Sequence, residues 1–460
     1  MNSKIKEYTS FYKKVLAVAL PIMLQNGISN FVSLLDNIML GRVGNDEMTG
    51  VAIVNQLLFI FYLCIFGAVS GAGIFTAQYY GSKDMEGVRD TFRFKLLIST
   101  VILVIAIGIF MLFNGPLLRL YLSESSEVGN IEATFNFGRE YLFIMLIGLL
   151  PFTLENCYSG TLRETGRTVI PMAASVVAVF INLGLNYVLI YGKFGAPELG
   201  VAGAAYATVI SRVVQLLIVV VWTHRHSEAL GFIKGLYASF KVKKGLGRKI
   251  VVMGLPLIVN ETLWAAGIAA QMQAYSNRGV MVVSGLNINS TIANVFNVAF
   301  IALGDAVAIL VGQLLGAGKT EEAKRTSSRI IVFSVSICII LGTVLFFTAP
   351  LFPQIYNSPD EIKFLAEKFL RVTAICMPLM GFLHATYFTI RSGGKTFITF
   401  LFDSAFLWVV AVPVAYVLTL YTGLDIVTVF LLCNLVDLIK ATVGFILLKK
   451  GVWINNLVAE

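Results

Sequence analysis

Apolar runs of about twenty residues recur twelve times along this chain of 460 residues, and no other feature limits its fold as strongly. A run of that length crosses the hydrocarbon core as a helix, because in lipid each segment must satisfy its own backbone polar groups. The spans fall at about 15–40, 51–77, 94–113, 136–160, 169–191, 201–222, 250–275, 284–312, 329–349, 369–390, 397–420 and 426–448. The short alternating segments of a membrane barrel are not seen. Charged residues make up 13% of the chain, against about 25% in soluble domains. The expected class is an all-α integral membrane protein with twelve transmembrane helices.

The start, MNSKIKEYTSFYKK, is polar and basic, and the first apolar run is too long for a signal-peptide core, so no cleavable leader is expected. Cys64, Cys157, Cys338, Cys376 and Cys433 lie in apolar runs without paired spacing, which argues against disulfides and zinc. The net charge of +9 reads as orientation and contact with anionic lipid rather than nucleic-acid binding. Alternate connections place most Lys and Arg on one side. That side holds both termini, Lys4, Lys6, Lys83, Arg89, Arg93, Lys95, Arg163 and the basic linker 226–249. The other side has few cations and most loop acids, such as Glu124, Glu127 and Asp360. Both termini are therefore expected in the cytoplasm of a plasma-membrane protein.

The two halves repeat. At an offset of 235, LPIMLQN (20–26) matches LPLIVNE (255–261), and QYYGSKDMEGVR (78–89) matches QLLGAGKTEEAK (313–324). At an offset of 228, TLRETGRT (161–168) matches TIRSGGKT (389–396). Six spans per half insert with the same orientation, so the repeat is parallel, about an axis along the membrane normal. The reading is a six-helix lobe over 1–225, the cytoplasmic linker 226–249 and a second lobe over 250–460. Such repeats suit secondary transporters, although duplication can also be a structural relic.

A carboxylate inside a span is costly and marks function by default. Six qualify: Asp36, Glu155, Glu261, Asp305, Asp403 and Asp437. Burial near a helix end accounts for Asp305, an ion pair with Lys440 one turn away for Asp437, and an Arg partner for Glu155. Asp36 differs, because Arg42 is six residues on and points to another face. Gln25, Ser29, Ser33 and Asp36 form one polar stripe flanked by Asn26, Asn30 and Asn37, and Pro21 lets the helix bend. Span 5 offers Asn182 and Asn186 on one face, amides that suit a small cation or a protonated carboxyl, or that join two helices.

In the second half Glu261 follows Pro256, with Trp264 a turn on, and an acid beside an aromatic attracts organic cations. Asp403 is the weaker candidate there, and His384 can titrate, donate a hydrogen bond or join helices. The residues matching Asp36 and Glu261 at the 235 offset are Gln271 and Asn26, so the halves differ chemically.

Four stretches carry a resemblance: ALPIMLQNGISNFVSLLDNIMLGRVG, GAGIFTAQYYGSKD, INLGLNYVLIYGKFGAPELGVAGAAYAT and VGQLLGAGKTEEAKR. In order, spacing and duplication they resemble the multidrug and toxic compound extrusion (MATE) transporters, closer to the branch named for DNA-damage-inducible members. The resemblance implies two six-helix lobes around a central cavity and export of cationic amphipathic compounds driven by inward Na⁺ or H⁺. It places the family's first-helix carboxylate on Asp36, its fifth-helix partners on Asn182 and Asn186, and a sixth-helix Thr on Thr208. The seventh-helix acid of many members lies about a turn beyond Glu261. Where some members have a tenth-helix Asp, this chain reads CMPLMGFLHATYF.

The expected function is thus a cation-coupled antiporter for small organic cations, acting as a monomer in membrane lipid without a cofactor. Asp36, Asn182, Asn186, Gln25 and Thr208 serve the coupling ion, with Asp36 and the two Asn as a Na⁺ site. Glu261, Trp264, Asp403, His384, Asn26 and Asn30 face cargo, while Pro21 and Pro256 allow bending. The alternatives are a lipid-linked precursor flippase of the same superfamily, which needs a strongly cationic cavity, and a channel or scaffold. An enzyme is not expected, since there is no metal cluster, nucleotide loop or nucleophile elbow.

Overall fold

Each expected span is a helix, and most helices run past the apolar stretch that marks them. The computed structural model describes residues 2–122, 130–356 and 358–459, and only the backbone at 2–8, 33, 34, 37 and 38. Glu124 and Glu127 therefore lie outside the described residues, as do the side chains of Lys4, Lys6, Ser33 and Asn37. The helices are α1 (Asn2–Gly41), α2 (Asn45–Gly81), α3 (Met85–Arg119), α4 (Ile131–Glu164), α5 (Val169–Tyr191) and α6 (Gly200–Arg225). After the linker come α7 (Leu246–Ser276), α8 (Val280–Gly316), α9 (Thr320–Thr348), α10 (Asp360–Ser392), α11 (Thr396–Tyr421) and α12 (Ile426–Lys450). No strand occurs among the described residues.

Local chemistry sets the boundaries. Asp84 caps α3 by accepting from Gly87 N at 2.9 Å, and Asn130 caps α4 by accepting from Glu132 N and Ala133 N. Gly192, at φ +61°, closes α5 in the left-handed region. Helices α1 and α7 continue unbroken through Pro21 and Pro256. In α3 the backbone leaves helical geometry at Phe113, just before Pro116. Helix α11 is wound as π-helix over Leu401–Ala405 and Leu407–Ala411.

The chain packs as two compact units, neither of which is simply one half. The first comprises residues 24–76 and 84–251. Leu58, Ile65, Phe92, Leu142 and Leu149 are fully buried in it. The linker folds onto this unit as an ordered strap. Arg89 donates to the carbonyls of Phe232 and Gly231, and Arg93 donates to those of Leu236 and Gly235 at 2.9 and 2.6 Å. Phe232 and Leu236 are buried beneath. Lys95, expected among the loop cations, is instead wholly buried, paired with Glu164 and 3.1 Å from Thr161 Oγ1. A Cβ at position 73 would sit 2.1 Å from Glu164 Oε1, so any larger residue there has to displace that carboxylate.

The second unit comprises residues 1–23, 77–83 and 252–460. Its core joins Val15, Ala19 and Ile22 of α1 to Leu303, Val307 and Leu310 of α8 and to Phe388 and Trp453. Within it the repeat pairs meet each other. A Cβ on Gly81 would lie 1.9 Å from Gln313 O, and one on Gly316 1.9 Å from Gln78 O. Gln78, fully buried, also binds the C-terminal tail. It accepts from Leu457 N at 2.7 Å and donates to the carbonyls of Ser392 and Asn455.

Candidate functional site

Four of the expected coupling residues come together in the first unit, from three helices. Asn186 Nδ2 donates to Asp36 Oδ1 at 2.7 Å. The Asn182 amide satisfies its surroundings with its nitrogen 3.2 Å from both Asp36 oxygens and its oxygen 3.3 Å from Thr208 Oγ1. The spacing explains the convergence: Asn182 and Asn186 are one turn apart on α5, and both are buried. Asn186 Oδ1 is buried with no partner, an acceptor waiting for a donor or a cation. Tyr191 OH anchors the end of α5 to Met39 O at 2.8 Å, which keeps α1 and α5 in register.

The donor set is one carboxylate, two amides and a hydroxyl, all hard oxygens once the amides turn. That suits Na⁺ or a proton. No group of three His, Cys, Asp or Glu side chains positioned to hold a metal ion occurs among the described residues.

Gln25 is not part of this cluster. It accepts from Arg163 Nη2 at 3.1 Å, since α4 presents a guanidinium where α1 buries an amide. Asn30 is exposed and Asn26 half-buried. Glu155 accepts from Ser159 Oγ at 2.5 Å, and the expected Arg acts on it through charge without a direct ion pair, as Arg163 and Arg212 both do.

The second unit gathers a different network. Tyr387 OH donates to Glu261 Oε1 at 3.2 Å, and Asn260 Nδ2 reaches Tyr387 OH at 3.3 Å and Asp403 Oδ2 at 3.2 Å. Lys440 Nζ donates to Asp403 Oδ1 at 2.6 Å. The ion pair expected between Lys440 and Asp437 is thus made to Asp403. Winding α11 as a π-helix there adds a residue per turn, and such turns recur at functional positions. Ser404 fixes the geometry by donating to Asn260 O at 2.6 Å.

Trp264 is exposed on α7, while the partner that Glu261 accepts from is Tyr387. The indole that does engage α7 is Trp408, whose Nε1 donates to Leu263 O at 2.8 Å. His384 packs against the rings of Phe300 and Phe388, at 4.9 and 5.8 Å, as an aromatic contact.

A search for carboxylates passes over Arg212, at the middle of α6. The rule that selects Asp36 selects it equally, since any ionisable group at that depth needs a reason. Its guanidinium lies 5.2 Å from the ring of Tyr62 and 5.0 Å from that of Phe152. Asn260 and Tyr387, the bridges of the second network, carry no charge, and Asn260, an amide inside its span like Asn182, has no second amide one turn away to draw attention to it.

Known proteins similar to this chain include multidrug resistance proteins and MATE transporters. Residues 21–188 and 256–417, one block in each half, match the family described as MatE. Probable multidrug resistance protein YoeA of Bacillus subtilis is 27% identical over 434 residues, covering 92% of this chain and 90% of that protein. Probable multidrug resistance protein NorM of Thermotoga maritima is 24% identical over 457 residues, 97% of this chain and 94% of that one. Among solved structures, a MOP superfamily transporter of Pyrococcus furiosus, described by the reverse polarity of its binding pocket, shares the fold. The TM-score is 0.81 at 19% identity, over 96% of this chain and 95% of that one. Twelve spanning helices, a duplicated half and a family match across both copies lead to one conclusion: this chain belongs to the MatE family of multidrug efflux transporters.

Proposed function

We propose that this protein is a secondary active antiporter that exports amphipathic organic cations from the cytoplasm in exchange for inward Na⁺ or H⁺. It works as a monomer in the plasma membrane with both termini cytoplasmic. The observation that carries the reading is Asp36, held by two amides whose neighbouring buried oxygen, Asn186 Oδ1, has no donor. With Asp36 charged, the amide N–H groups face it. When a proton or Na⁺ arrives, the amides turn their oxygens inward, and the orphaned acceptor gains its partner. That rearrangement moves α5 against α1 and weakens cargo binding.

A coupling ion drives transport only through different affinities for the two access states. At 100 mV one entering charge supplies about 2.3 kcal/mol, enough for tens-fold accumulation. Asp36 and Glu155 favour cationic cargo by charge. In the second unit Asp403 already carries a resident cation in Lys440, so coupling is assigned to the first.

The test is transport of a cationic dye in proteoliposomes under separately imposed Na⁺ and pH gradients. Asp36→Asn is expected to abolish gradient-driven efflux. Efflux that survives Asp36→Asn, or cargo that proves purely anionic, overturns this reading.

A further inference from the structure

Beyond α12 the chain turns at Gly451, at φ +65°, and runs back over the ends of other helices of the second unit. Trp453 pins the base of this tail, 2% exposed in the core with Val15, Ala19 and Ile22. The stretch that follows is only partly buried and is held by polar contacts. Leu457 N donates to Gln78 Oε1 at 2.7 Å, and Gln78 Nε2 donates to Asn455 O at 3.2 Å. Asn455 Nδ2 donates to Gly393 O at 3.3 Å, and Asn456 Nδ2 to Gly316 O at 3.4 Å. One short segment thus ties the last turns of α2 and α8 to the turn between α10 and α11. Two of the groups it engages are carbonyls at helix ends, which a helix leaves unsatisfied and which water can serve as well.

The repeat shows that the chain makes room for this tail. Gly393 follows α10 at φ −87°, ψ 8°, and its counterpart at offset 228, Thr165, follows α4 at φ −89°, ψ 11°. The backbone at 393 therefore accepts a side chain, and glycine is there for space. A Cβ would lie 1.6 Å from Trp453 O, so the tail could not pass where it does. In the first half position 165 carries a threonine, whose hydroxyl donates back to Thr161 O at 3.0 Å. Next to the clasp, Ala77 is 3% exposed, and a Cβ on Gly312 would lie 3.1 Å from its methyl. With the tail docked, the ends of α2 and α8 are therefore held in contact.

We propose that residues 455–458 form a releasable latch on the cytoplasmic side, and that the ends of α2 and α8 part to admit cargo only after the latch leaves Gln78. This rests on the export reading, which requires a state open to the cytoplasm. Trp453 stays anchored while the segment beyond it lifts. Gln78, Gly316 and Gly393 then exchange tail partners for water, a trade in which each hydrogen bond nets little.

The experiment follows labelling of Ala77→Cys by a water-soluble maleimide dye, in full-length protein purified into lipid nanodiscs without cargo or gradient. The protein without that substitution, with its five cysteines, gives the background. Leu457→Pro removes the N–H that Gln78 accepts and leaves α2 and α8 untouched. It is expected to raise the labelling rate at Ala77→Cys about fivefold or more, the effect of losing one hydrogen bond. The rate at Ala366→Cys, wholly buried in the same unit toward the other end of α10, is expected not to change. Asn455→Ala with Asn456→Ala is expected to act in the same direction, and decides by the same criterion if Leu457→Pro does not fold. No rise at Ala77→Cys overturns the latch. An equal rise at Ala366→Cys also overturns it, since the unit as a whole has then loosened. Release at Ala77→Cys without gradient-driven efflux leaves the latch standing and removes the antiport reading. Gradient-driven efflux without that release does the reverse.

Discussion

Single side chains decide the chemistry, and they were unequally legible. Asp36, Asn182 and Asn186 could be chosen from sequence because each is polar at a depth where polarity is costly, whereas Thr208 came only from the family resemblance. Gln25 met the same criterion yet serves Arg163, since a stripe on one helix does not reveal which neighbour faces it. For the same reason Lys440 was assigned to Asp437, its neighbour in sequence, when α11 supplies Asp403. That pair makes a sharp prediction. Its side chains are 13% and 18% exposed, so removing one partner strands a charge in a poorly solvated place. Lys440→Met or Asp403→Asn alone is expected to cost about 3 kcal/mol, while Lys440→Met with Asp403→Asn together costs less than either. Thermal unfolding in detergent reads this directly. A double variant less stable than both singles would show that the pair is not what the two residues share.

At the level of helices, length and apolarity placed all twelve spans, because a bilayer leaves the backbone few choices. The π-helical turns of α11 had no signature, since an inserted residue leaves hydrophobicity unchanged. Pro21 and Pro256 drew attention as bends, but both helices are continuous in this state. Glycines carry clearer information. Gly81→Ala and Gly316→Ala each drive a methyl into a backbone carbonyl, which no rotamer change relieves. Either is expected to abolish the yield of folded, monodisperse protein. Gly108→Ala meets nothing within 4 Å and is expected to leave yield intact and stability unchanged or higher by about 0.5–1 kcal/mol. Size-exclusion profiles of the three variants separate these outcomes, and normal profiles for Gly81→Ala and Gly316→Ala would refute the steric argument.

For the whole molecule, the duplication was visible in sequence, but the compact units were not. Residues 1–23 and 77–83 pack with 252–460, and the linker packs with the half it follows. Charge patterning had marked the linker as basic and cytoplasmic, whereas Leu230, Phe232 and Leu236 dock it. Arg93→Gln removes the donor to three linker carbonyls and is expected to speed tryptic cleavage at Lys241, Lys243 and Lys244 at least fivefold, on the order of the ~1 kcal/mol a hydrogen bond contributes. Cleavage is expected in inside-out vesicles alone. Cleavage in right-side-out vesicles would reverse the assigned orientation, and an unchanged rate would mean that the strap is held elsewhere.

The meeting of Gly81 with Gln313 and of Gly316 with Gln78 has an ancestral meaning. Residue i touches j′ while its copy i′ touches j, which is the pattern of an isologous patch. A chain of six spans carrying that patch would pair with a second copy of itself about a two-fold axis. Gene fusion then needs only a connection from the end of one copy to the start of the next. In one polypeptide the copies are free to diverge, and here one holds an acid at position 36 and the other Gln271.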